Sequence, residues 1–169
     1  MNLYRFEGMV QNQVDVFGLT SSCSQRILNS ANKLNNNPIY AYHSHYSDKW
    51  DKKTNKCNLF INDVLEDANV EAPKRRILGL IPRGPITAGT WADPNAKIPG
   101  FEVVNIPEPG DIVAISKVYT DATGHVAIVS DKGKSIGAGS KDGSHTTEWP
   151  WDGISPPQGT PIYRRCINR

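Results

Sequence analysis

Two side chains of this 169-residue chain are of the types, and lie in the local patterns, that nucleophilic acyl transfer needs. Cys57 heads the series Cys57, Phe60, Ile61, Val64, Leu65 and Ala68, whose separations of 3, 1, 3, 1 and 3 mark one face of a helix. Asn55 offers an N-cap, so the thiol falls in the first helical turn. Unpaired amides and the positive end of the macrodipole make a thiolate cheapest to form there. His125 follows Gly124 and opens the alternation Val126, Ala127, Ile128, Val129, so a strand can hold its imidazole over a neighbouring helix end as a general base. Taken singly, a helical cysteine is commonly a small core residue and a strand histidine is commonly structural. Together they describe a thiol that attacks a carbonyl and an imidazole that protonates the leaving amine, after which water hydrolyses the thioester. No cofactor is required.

The elements that must position this pair can be read on either side of it. Ser21 or Ser22 caps a helix with Ile27, Leu28, Ala31 and Leu34 at helical spacing, which ends at Asn35-Asn36-Asn37-Pro38. Residues 39–55 show no period. From Pro73 to Gly110 repeated prolines and glycines make long regular elements improbable and predict a shaped loop region. Strands are expected over 111–115, 125–130 and 135–138, the last two joined by a hairpin turn at Asp131-Lys132-Gly133. Residues 139–159 read as loop and 162–167 as a final strand. Helices first and an antiparallel sheet afterwards give an α+β class, and the length suits a single catalytic domain spanning 1–169.

The composition excludes several functions. With 19 basic and 17 acidic side chains the net charge is only +2, far from the excess that nucleic-acid backbones demand. No apolar run reaches a membrane-spanning length, and the first residues lack the apolar stretch of a secretory signal. His43 and His45, with His125 and Asp111, raise a zinc site, but the pair lacks a supporting Glu or His motif, and no metal is expected. Asp111 after Pro109-Gly110 reads as a turn-capping carboxylate. Trp91, Trp149 and Trp151 are candidates either for the core or for a substrate groove. Cys23 and Cys166 lie near the two ends and could pair in an oxidising compartment, although spacing alone does not show it; Cys57 stays reduced in either case.

Lys56-Cys57-Asn58-Leu59-Phe60, Pro109-Gly110-Asp111-Ile112-Val113-Ala114 and Gly124-His125-Val126-Ala127-Ile128-Val129 together resemble the papain-like wall hydrolases of the NlpC and CHAP type, over about residues 40 to 140. The Asn55-Lys56-Cys57-Asn58 run and the stretch Thr87 to Pro94 are similar to those of the amidase toxins that bacteria deliver to competitors through type VI secretion. The resemblance implies a papain-like (NlpC/CHAP-type) fold, its nucleophile helix packed on an antiparallel sheet, and cleavage of amide bonds in peptidoglycan stem peptides or cross-links. Cysteine precedes histidine by 68 positions, which disfavours the circularly permuted acyltransferase branch.

In such families a polar residue on the strand after the histidine strand orients the imidazole. The corresponding position here holds Gly137, which leaves Ser135, Ser140, Asp142 or a backbone carbonyl, with Asp142 and Ser140 ranked equally. The oxyanion hole would combine the Cys57 amide with one further donor, and Tyr46 stands where such families often place a tyrosine at the substrate site. The implied partners are the peptidoglycan substrate and a cognate inhibitor protein in the producer. The implied place of action is a target cell's periplasm, reached from the bacterial cytoplasm without a signal peptide. Rival readings are a phage-type endolysin, a cysteine peptidase or transglutaminase-like toxin acting on protein amides, and a non-catalytic wall-binding module.

Overall fold

Patterning and capping account for the helices of the computed structural model, which describes residues 21–77, 81–117, 122–139, 141–148 and 160–167. Helix α1 (Cys23–Lys33) starts because the Ser22 hydroxyl accepts from the Gln25 amide at 3.2 Å, and it buries Ile27 and Ala31. A single 3-10 turn, Pro38–Tyr40, follows. Helix α2 (Cys57–Asp67) runs as its periodicity requires and buries Phe60, Ile61, Val64 and Leu65. Its N-cap is Lys56 rather than Asn55, and no side chain caps it.

The proline-rich stretch contains short elements instead of continuous loop. Strands β1 (Lys74–Ile77) and β2 (Ile81–Pro85) form a two-stranded ribbon, followed by the one-turn helix α3 (Ala88–Trp91), capped by Thr87, and by β3 (Phe101–Val104). The remaining strands are β4 (Ile112–Ser116), β5 (Gly124–Asp131), β6 (Lys134–Ala138), β7 (Ser144–Glu148) and β8 (Ile162–Cys166). They complete a six-stranded antiparallel sheet in the order β3-β8-β4-β5-β6-β7, and the chain is α+β. Strand β7 corrects the expectation of continuous loop over 139–159.

One face of the sheet, through Ile112, Ala114, Val126, Ile128, Ile136 and Ala138, shares a core with α1 and α2. Val113, Ile115, Ala127 and Val129 form a smaller cluster with Tyr163, the opposite parity on β4 and β5. Asp111 is fully buried where β4 begins: it accepts from the Glu108 amide at 2.7 Å and binds the Arg165 guanidinium through both oxygens. Cys23, the first residue of α1, is disulfide-bonded to Cys166, the last residue of β8, with 5.9 Å between their Cα atoms. Among the described residues no helix is long and apolar enough to cross a membrane.

Candidate active site

Cys57 is the cysteine outside the disulfide, 5% exposed, at the amino end of α2. The residue before it fixes the approach of the chain. Lys56 is buried, and its ammonium donates to the carbonyls of Ala41 at 3.0 Å and of Asp51 and Thr54 at 3.3 Å, which gathers the segment 41–54 onto the helix start. Burial lowers its pKa, against the opposing pull of Asp51. The three carbonyl acceptors offset much of the cost of an enclosed charge.

Above the thiol lies a pocket of about 280 Å³ walled by Trp50, Asn55, Cys57, Asn58, Arg75, Thr87, Ala88, Ala122 and Thr123. The Thr123 hydroxyl accepts from the Gly89 amide at 2.9 Å and so ties the approach to β5 onto α3. Gly124 then enters the strand at φ +155°, where a Cβ would collide with the Ile115 carbonyl; only glycine permits so close an approach. The pocket therefore meets β5 at Thr123, two residues ahead of His125, and the His125 ring is not among its described walls. His125 is half-buried and pairs across the ladder with Ile115, so it has the parity of Ala127 rather than that of Val126 and Ile128, which share the core with α2. Desolvation, and secondarily His145, push its pKa down to about 4, so the imidazole is neutral at pH 7.

His145 is the residue that sequence reasoning missed. It stands on β7 opposite Gly137, the position expected to carry an orienting side chain. A Cβ added at Gly137 would sit 3.0 Å from that of Ala127, and one added at Gly139 would overlap the His145 ring. The missing side chain at Gly139 thus leaves the gap into which the imidazole from β7 folds, and the one at Gly137 lets β6 lie close against Ala127. Its Nδ1 lies 3.2 Å from the Gly143 carbonyl, so donation there leaves Nε2 as the acceptor. The missed signal was Gly143-Ser144-His145-Thr146-Thr147, a glycine turn followed by β-favouring residues that lack an apolar alternation.

The other expected residues lie as follows. Asp142 is exposed on the bend between β6 and β7, and Ser135 is buried on β6 within 3.4 Å of the Thr147 hydroxyl. Ser140, Trp149 and Trp151 lie outside the described residues. The Tyr46 ring is 36% exposed, and its hydroxyl donates to Asp63 at 2.9 Å, as does that of Tyr40. Of the two alternatives for Trp91, core or groove, it takes the core: it is 1% exposed, edge-on to Phe101 at 5.1 Å, with its carbonyl accepting from buried Arg164. His45 pairs with Asp51 at 2.9 Å.

No protein-family model and no curated protein matches the chain. Among solved structures, the chain is similar to a protein described as similar to lipoprotein, of the NLP/P60 family, from Staphylococcus aureus subsp. aureus Mu50. The two are 18% identical with a TM-score of 0.49, over 89% of this chain and 45% of that one. The chain spans less than half of that protein's length, and a likeness this loose transfers no activity.

Proposed function

We propose that the chain is a papain-like cysteine hydrolase that cleaves amide bonds of peptidoglycan stem peptides or cross-links. The observation that carries the reading is the Cys57 thiol at the start of α2, in a pocket whose opposite wall is the threonine that leads into the His125 strand. The proposed reaction requires the His125 ring to reach the Cys57 thiol from the strand entry beside Thr123; neutral at pH 7, it then accepts the thiol proton as Cys57 attacks the carbonyl carbon. The Cys57 amide faces the developing oxyanion, the imidazolium returns its proton to the leaving amine, and water attacks the thioester with His125 again as base. His145, whose charge is the second cause of the lowered His125 pKa, is taken as the positioning residue for that ring. Action outside the cytoplasm, as an antibacterial effector opposed by a dedicated inhibitor in its producer, fits the Cys23–Cys166 disulfide, since such bonds persist in oxidising compartments.

The test is digestion of purified sacculi with mass spectrometry of the released muropeptides. Wild type is expected to release peptide-bearing fragments cut at one amide. Cys57→Ala, with unchanged circular dichroism, is expected to release none, and Cys23→Ser is expected to keep the chemistry. Full release by Cys57→Ala overturns the cysteine mechanism, and inert sacculi with cleavage of a protein side-chain amide favour the toxin acting on protein.

A further inference from the structure

We propose that the β1–β2 ribbon docks the protein on an anionic phospholipid surface, with its arginines on the headgroups and Ile81 in the interface beneath them. The proposal goes beyond the hydrolase reading and does not depend on it. Residues 74–85 hold Lys74, Arg75, Arg76 and Arg83 and no carboxylate, so the ribbon carries +4 while the rest of the chain sums to −2. Positive charge gathered on one element turns that element toward an anionic surface before contact. Lys74 pairs with Glu66 at 2.7 Å. Arg75, Arg76 and Arg83 are exposed, and among the described residues no carboxylate forms an ion pair with any of them.

Charge alone would suit any polyanion, and the apolar residues between the arginines narrow the choice. In sequence Ile77-Leu78-Gly79-Leu80-Ile81-Pro82 separates Arg76 from Arg83 without one polar side chain. Ile81 is 60% exposed and Pro82 is exposed beside it, although isoleucine is ordinarily among the most buried residues. A phosphate polymer offers nothing to that apolar surface. At the boundary of headgroups and acyl chains the isoleucine leaves water, while the arginine stems lie along the interface and their guanidinium groups meet lipid phosphates. The ribbon pairs with itself and not with the six-stranded sheet, and a two-stranded ribbon needs support to stand. Its root has that support: Lys74 donates to Asn62 and to Glu66 on α2, and exposed Lys49 donates to the Arg83 carbonyl. Because Arg75 belongs both to the ribbon and to the pocket wall, docking sets the Cys57 pocket beside the membrane.

Co-sedimentation with vesicles tests it, at about 0.1 M salt, where charges still act over about 10 Å. One set of vesicles contains phosphatidylglycerol in phosphatidylcholine and the other phosphatidylcholine alone. Wild type is expected to sediment with the first and to stay in solution with the second. The Arg76→Gln, Arg83→Gln double variant is expected to partition about 30-fold more weakly, five- to sixfold for each charge removed. Ile81→Ser is expected to lose about tenfold with the charge intact. Lys97→Gln with Lys132→Gln removes the same charge from exposed sites outside the ribbon and should bind as wild type does; unchanged circular dichroism accompanies each variant. Failure to bind the anionic vesicles, or equal binding to both sets, overturns the proposal, as does an equal loss in the lysine control, which would make net charge the cause. Wild-type binding by Ile81→Ser, with soluble polyphosphate competing fully, overturns the lipid and assigns the arginines to a phosphate polymer. No wall substrate is present in these mixtures, so each outcome leaves the hydrolase reading to its own test.

Discussion

Burial lowers the His125 pKa to about 4, and this gives the stability of the fold a pH dependence. The folded-state pKa of about 4 lies below the usual value near 6.5, so between those limits the unfolded chain holds the proton that the folded chain lacks. The contribution is complete above pH 6.5 and is lost as pH falls toward 4, with a slope of at most about 1.4 kcal/mol per pH unit for one proton. Thermal unfolding measured from pH 7 to pH 4 is expected to show this decline, and His125→Gln to flatten it; an unchanged slope in the variant removes His125 as its source. The positioning role of His145 has its own signature. His145→Gln is expected to lower kcat by about 10²-fold through misorientation of the base and to leave KM nearly unchanged. Because His145 helps depress the His125 pKa, the acid limb of kcat/KM should also move upward in that variant. A lower kcat with the acid limb unmoved would reduce His145 to a structural part of β7.

At the scale of elements, what the sequence made legible was whatever has a strong period or a dedicated cap. Helix α1 begins at the serine that caps it, α2 runs over the apolar series that announces it, and β4, β5, β6 and β8 fall on the expected apolar stretches. What was not legible is set by contacts distant in sequence. At the start of α2 the N-cap position falls on Lys56, whose ammonium reaches back to the carbonyls of Ala41, Asp51 and Thr54, and not on Asn55. Strand β7 forms because β6 offers a pairing edge, although its own residues have little to bury. The parity of His125 could have been counted from the strand itself, but which parity meets α2 is a tertiary fact. Gly139 reads locally as a missing side chain, when in space it makes room for the His145 ring. Gly139→Ala is accordingly expected to cost about 1–3 kcal/mol, the usual range for overpacking, because its Cβ would overlap the His145 ring. It should also reproduce the kinetic defect of His145→Gln, and urea unfolding beside the rate assay checks both. Wild-type rates in Gly139→Ala would mean that the ring is free to relocate without consequence for His125.

At the scale of the molecule, one covalent link joins the beginning of the described fold to its end. The Cys23–Cys166 bond spans 143 positions and fastens the first turn of α1 to β8, the strand that bridges β3 to β4 at the sheet's interior. Closing so long a loop in the unfolded chain removes entropy equivalent to about 5 kcal/mol in the chain-entropy model. For a domain of this size that corresponds to a fall in Tm of about 10–20 °C when the bond is opened. Neither cysteine lines the Cys57 pocket, so the bond acts on persistence of the fold and not on the chemistry. The Cys23→Ser, Cys166→Ser double variant is therefore expected to hydrolyse substrate at near wild-type kcat at 20 °C and to lose activity on heating well before wild type does. Thiol counting gives the complementary reading: the unfolded, unreduced protein should present one reactive thiol, that of Cys57, and the fully reduced protein three. Three thiols without reductant, or an unchanged Tm in the double variant, would remove the bond as the clamp between the two ends. If the clamp holds, protein kept reduced would be the less durable form, and durability would rise on arrival in the oxidising space where the proposed substrate lies.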